Sequence, residues 1–261
     1  MTRLVCIFLL SATSLFAQGF GQLPAFRAAG AKRPASGGGG GGGFAPTNIA
    51  GMALWWKASD VTAGNVASWV DRIQGKAARR TADTHVKSDS TGILFDGTSG
   101  IQLTNASAIT LSVPFSFWYI IKPTTAPPSG NWYTVWNSQN NSAGSFAVHT
   151  PGGNYSWDVE INVGDNVYGQ QLLVNNTIYD LVCTEVSAIT PSVWTNGVAS
   201  TRVSGADTGT STDFFFIGDD SQGDPMNGYI IEIGVWTNTT LSSTSVSNLH
   251  YYSTNTYGYT P

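Results

Sequence analysis

The chain has 261 residues, 11% of them charged and 12% aromatic, and a formal net charge of -4 at pH 7. Its 12 Lys and Arg are scattered apart from residues 76–80, so it lacks the basic stripe that nucleic-acid binding requires. Low charge with many aromatics suits a secreted β protein, and the 76–80 cluster reads as a solvated loop.

Residues 1–17, MTRLVCIFLLSATSLFA, carry one early Arg, an apolar run over 4–10 and small residues leading to Ala17. They read as a secretory signal peptide cleaved after Ala17, the apolar run being too short to span a bilayer; an uncleaved anchor is the alternative. The mature chain is then secreted, extracellular or at the cell surface, without a membrane span. Cleavage leaves Cys183 as its single cysteine, so no intramolecular disulfide forms. Cys183 lies in the strand-like YDLVCTEV, where a small buried hydrophobe is a simpler reading than a catalytic thiol, which needs a positioned base.

Residues 18–46 include a run of seven glycines from Gly37 and read as a flexible tether. The globular domain is expected over 47–261. Residues 54–56 read as a buried strand and 66–70 as a second short element, with 71–90 polar. Residues 93–95 are followed by the turn pair Asp96-Gly97 and by alternating Ile101 and Leu103, a pattern expected to form a hairpin. Residues 115–122, FSFWYIIK, predict a central strand that the Pro-rich TTAPPSG ends. Stretches 132–136, 146–149, 155–163 and 167–174 recur at roughly ten-residue spacing with Gly or Asn punctuation, the rhythm of a β-sandwich. Asn196-Gly197 predicts a hairpin between 192–195 and 198–203. Residues 214–217 and 229–236 predict two strands around a loop with three acids. The second strand places Tyr229, Ile231, Ile233 and Val235 on one face, Ile230 and Trp236 on the other, with Glu232 its one charge. Residues 241–252 predict a short helix capped by Ser242 or Ser243, with Val246 and Leu249 on one face, covering an end of the sandwich. The fold class read from these elements is all-β: a two-sheet antiparallel β-sandwich with one short C-terminal helix.

Four stretches in sequence order carry a family resemblance. ALWWKASD (53–60), ILFDG (93–97), the pair of strands over 179–197 ending in VWTNG, and NGYIIEIGVW (227–236) followed by Leu241-Ser242 together resemble laminin G-like, concanavalin A-like lectin/glucanase jelly rolls. The resemblance implies the fold over about residue 47 to the end. It says little about function, because lectins, adhesion modules, hydrolases and surface structural domains share this fold.

A hydrolase of the family resembles a β-glucanase, with three acids spaced along one strand. In SWDVE, Asp158 and Glu160 match the second and third acids, but Ser156 stands where the resemblance requires the nucleophilic Glu, so a retaining mechanism lacks one of its two carboxyl groups. Asp219, Asp220 and Asp224 share one loop and offer hard oxygen ligands suited to calcium; a solvated acidic turn is the alternative. Trp132, Tyr133, Trp136, Tyr155 and Trp157 lie in short strands interleaved with Asn, Ser and Gly, a mixture able to stack on sugar rings while amides bond hydroxyls; membership of the core competes for each. The candidate ligand-binding set is therefore these five aromatics with Asp158 and Glu160. The expected function is a secreted, non-catalytic carbohydrate-binding or adhesion module, with a glycan, a surface polysaccharide or another surface protein as partner. A structural or interaction domain of a surface or phage-like assembly is the alternative, and a β-glucan hydrolase is third.

Overall fold

A computed structural model describes residues 43–80, 86–98, 101–103, 109–125, 132–137, 145–149, 156–160, 166–168, 173–185, 192–199, 211–214, 216–218 and 225–259. In chain order the strands are β1 (Met52–Lys57), β2 (Gly64–Asn65), β3 (Ser68–Val70), β4 (Ala77–Arg80), β5 (Lys87–Ser88), β6 (Ile93–Asp96), β7 (Ile101–Leu103), β8 (Ile109–Ser112) and β9 (Phe115–Pro123). They continue as β10 (Trp132–Asn137), β11 (Ser145–His149), β12 (Ser156–Glu160), β13 (Asn166–Tyr168), β14 (Tyr179–Glu185), β15 (Ser192–Thr195) and β16 (Val198–Ala199). The last are β17 (Ser211–Phe214), β18 (Phe216–Ile217) and β19 (Asn227–Thr237), and one helix, α1 (Ser243–Tyr257), follows. Pairing among the strands is antiparallel. The first sheet runs β16, β15, β14, β9, β19, β6, β5, β2, with β1 beside β19. The second runs β13, β12, β11, β10, β18, β7, β4, β3, and β17 with β8 forms a separate ribbon.

The continuous apolar run of β9 follows from its place between two layers. Phe115, Phe117, Tyr119 and Ile121 enter the core between the sheets, while Trp118 and Ile120 join a second cluster with Val246 and Leu249 of α1. A strand buried on both faces has no polar face to alternate with. Phe117 packs on Trp136 of the second sheet with ring centroids 4.8 Å apart, a contact worth about 0.5–1.5 kcal/mol beyond its buried area.

β19 pairs with β9 along its length and departs from simple alternation. The register shifts between Ile230 and Glu232, so Ile231 is an extra residue. Ile230, Ile233 and Val235 therefore face the sandwich core, whereas Ile231 and Trp236 lie in the outer cluster. The expected grouping of Ile231 with Ile233 and Val235 is corrected by this bulge. Gly234 is required by packing, because a Cβ there would come within 3.0 Å of both the Trp118 and Trp236 rings.

Three other expectations change. β6 pairs with β19 and β5 in the first sheet and β7 with β18 and β4 in the second, so Asp96-Gly97 carries the chain between sheets instead of closing a hairpin. The 214–217 run is divided: β17 pairs with β8, and β18 with β10 and β7. The helix extends to Tyr257 and covers the outer face of the first sheet, not an end of the sandwich. Its N-cap is Ser242, whose hydroxyl accepts from the Ser245 N–H at 3.1 Å, and it stops at Gly258 in the left-handed conformation. The Asn196-Gly197 hairpin forms as expected, with φ of 51° and 73° suiting a type I′ turn.

Candidate functional site

The strands β10 to β13 form a four-strand meander at one end of the second sheet. Trp136 is fully buried and packed on Phe117, which fixes which rows of this meander face the core. By register its row contains Phe146, Val159 and Val167, all apolar. The row of Tyr133, Val148 and Trp157 shares that face by alternation. The opposite face carries three rows: Trp132, His149 and Ser156; Thr134, Ala147, Asp158 and Tyr168; Asn137, Ser145, Glu160 and Asn166. Val135 is an extra residue between Thr134 and Trp136, and this bulge puts those two on opposite faces although they are two apart.

The meander thus brings Trp132, Asp158 and Glu160 of the candidate set to one face, together with His149, Tyr168, Asn137 and Asn166, which the sequence reading had not singled out. Trp136 is corrected from a ligand platform to a core residue, because its ring has no exposed surface. Tyr133 and Trp157 occupy register positions on its side of the sheet. Tyr155 lies outside the described residues.

Asp219, Asp220 and Asp224 also lie outside the described residues, but the residues that begin and end their loop are placed. Gly218 N–H donates to Val135 O at 2.8 Å, Met226 N–H to Gly218 O at 2.8 Å, and Gly97 N–H to Met226 O at 3.1 Å. The loop base is therefore pinned to β10. Asp96 is the register partner of Asn227, so a fourth acid stands at the same base. Its Oδ1 accepts from the Thr98 N–H at 3.1 Å and from the Thr98 hydroxyl. Among the described residues, no three His, Cys, Asp or Glu side chains are grouped as metal ligands, and no helix is long and apolar enough to cross a membrane.

Two buried acids lie on the far side of the molecule, under α1. Glu232 accepts from Trp55 Nε1 and the Tyr252 hydroxyl, both at 2.9 Å, and from the Tyr257 hydroxyl, with Lys57 Nζ at 3.1 Å. Asp180 Oδ2 lies 2.5 Å from His250 Nδ1 and accepts from the Tyr259 hydroxyl at 2.5 Å. Burial, and then the neighbouring carboxylate, push Tyr252, Tyr257 and Tyr259 above the usual tyrosine range. Both carboxylates are buried and hold the helix and the C-terminal residues to the sheet; Asp180 Oδ2 carries both of its contacts, while its Oδ1 is buried without a hydrogen-bond partner. Cys183, 1% exposed between Phe117 and Val193 in register, is a core hydrophobe.

No protein-family model matches this sequence, and no curated protein matches it. Among solved structures, the chain is similar to Trypanosoma rangeli sialidase in complex with 2,3-difluoro-KDN, at TM-score 0.56 and 16% identity over 85% of this chain and 35% of the sialidase. It is also similar to a mutant of that sialidase displaying trans-sialidase activity, at TM-score 0.55 and 14% identity over 81% of this chain and 34% of the other. A weaker likeness, TM-score 0.48 and 16% identity, is to domain 4 of the arabinanase AbnA from Geobacillus stearothermophilus, over 76% of this chain and 87% of that domain. The chain spans about a third of the sialidases' length, and at these identities the likeness is one of fold alone.

Proposed function

We propose that the chain is a secreted, non-catalytic carbohydrate-binding module of concanavalin A-like type, displayed on the glycine-rich tether of residues 18–46. The observation that carries this reading is the outer face of β10 to β13, where register gathers Trp132, Tyr168, His149, Asp158, Glu160 and two asparagines opposite an apolar row. Aromatic faces for sugar rings and short polar side chains for hydroxyls are what saccharide recognition draws on. The sialidase likeness adds a fold found in a protein solved with sialic acid. Calcium held by Asp219, Asp220 and Asp224 belongs to the same proposal; the described residue just before them, Gly218, is hydrogen-bonded to Val135 of β10.

The full chain on a glycan array, with calcium and with chelator, tests the reading. Retention of at least one glycan class, weakened by Trp132→Ala, supports it, and no retention of any class overturns it.

The β-glucan hydrolase, third in the sequence analysis, is kept as a further reading because Ser156, Asp158 and Glu160 share that face. Two residues along a strand separate the acids by roughly 7 Å, a spacing that fits an inverting pair better than a retaining one. Release of reducing sugar from β-glucans by the parent chain, abolished in Glu160→Gln, would replace the binding reading with this one.

A further inference from the structure

We infer that the β10 to β13 face takes saccharides that are uncharged or carry amino groups, and rejects those bearing carboxylate, sulfate or phosphate. This rests on the carbohydrate-binding reading above and names the ligand class for the same face. The sequence contains no Lys or Arg between Lys122 and Arg202, a stretch with five acids, Asp158, Glu160, Asp165, Asp180 and Glu185. All four strands of the meander fall inside it. Of the five, Asp180 is engaged under α1 with His250 and Tyr259, while Asp158 and Glu160 stand on the outer rows of β12.

Following those rows across the second sheet reaches its first cation at Arg79. Asn137 pairs with Phe216, Phe216 with Gln102, and Gln102 with Arg79. Arg79 is thus three strands from β10, roughly 14 Å at the usual interstrand spacing, and about 24 Å from β12. Physiological salt screens exposed charges beyond about 8 Å, so Arg79 cannot offset Asp158 and Glu160. Recognition of an acidic sugar relies on Arg or Lys donors that bind the anion directly. Here an incoming carboxylate meets like charge, whereas hydroxyls and ammonium groups meet acceptors. Within the meander these rows carry no Lys or Arg, and His149 is their one basic side chain. The fold is shared with a sialidase, but this charge pattern does not suit sialic acid.

The test is a panel at pH 7.5 on the full chain. It contains neutral glycans (arabinan, xylan, laminarin), chitosan oligomers, and acidic ones (polygalacturonate, heparan sulfate), with lactose against sialyllactose as a matched pair. Binding confined to the neutral or amino glycans supports the inference. So does adding an acidic residue to an otherwise bound glycan if it weakens binding at least about tenfold, with Asp158→Asn plus Glu160→Gln narrowing that gap. Binding that prefers the acidic member of a pair overturns it and leaves the carbohydrate-binding reading standing. Binding of no glycan in any class overturns both.

Discussion

Glu232→Ala is expected to be among the most damaging single changes on the outer side of the first sheet. The Glu232 side chain is fully buried, and removing its carboxylate takes the acceptor from Trp55 Nε1, Tyr252 and Tyr257 at once. Lys57 is left 15% exposed with a hydrogen bond to Tyr252 Oη and ring faces 5.3–5.9 Å away, but without a counter-charge in this cluster. Deleting one member of a buried ion pair costs about 3–5 kcal/mol, most of it the stranded charge and donors. In a domain of roughly 150–250 residues each kcal/mol shifts the melting temperature by about 2–4 °C, so a fall of about 6–20 °C is expected. The double change Glu232→Leu with Lys57→Met should recover much of the loss, because it leaves no uncompensated charge under α1. Thermal unfolding followed by circular dichroism reads both. A fall of less than about 3 °C in the single variant, or a double variant no more stable than the single, refutes the reasoning.

Four further outcomes are expected. Trp136→Ala, which removes a ring packed against Phe117, should cost about 3–5 kcal/mol in denaturant unfolding, whereas Trp132→Ala should cost less and weaken glycan binding; equal stability losses would contradict the two-face assignment. Because Tyr252, Tyr257 and Tyr259 have raised folded values, their contribution is complete below about pH 10, where unfolded tyrosine ionises, and is lost as pH climbs toward the folded values; Tyr257→Phe should flatten the fall in stability between about pH 9 and 12. If Asp219, Asp220 and Asp224 hold calcium, a concentration about a hundredfold above the dissociation constant adds roughly 2.7 kcal/mol, read as a rise of several degrees in melting temperature that Asp220→Ala removes; an unchanged melting temperature against chelator makes the loop a solvated turn. Intact-mass measurement of exported protein should give a chain beginning at Gln18 with a free thiol at Cys183, and a Met1 terminus would overturn the signal-peptide reading.

The fold was legible where one strand met a strong local rule. FSFWYIIK has no polar face, and the structure shows why: it is buried against the second sheet on one side and against α1 on the other. Asn196-Gly197 specified its hairpin because few other pairs adopt two positive φ values in succession. Ser242 capped the helix for a similarly local reason. Asp96-Gly97 is the counterexample. The turn exists, but whether the next strand pairs with the previous one or crosses to the other sheet depends on partners far along the chain, here β19 and β18.

The candidate site failed to read out in full for one recurring physical reason. A period-two pattern assigns faces only while the register is unbroken, and a bulge adds one residue that sends everything beyond it to the other face. At β19 the extra residue is Ile231, which sits under α1 instead of beside Ile233. At β10 it is Val135, which parts Trp132 from Trp136 although they are four apart and simple alternation would align them. The second bulge matters more for function, because the aromatics of β10 looked interchangeable as sugar platforms while only one side of the sheet leads away from the core. Trp136 packed on Phe117 supplies the anchor from which every other row is read, and from it Asp158, Glu160 and Trp132 come to share a face with His149 and Tyr168. The chemistry of the ligand then follows from a property the sequence displays without any structure, the cation-free stretch between Lys122 and Arg202, once register shows that a single face is built from it.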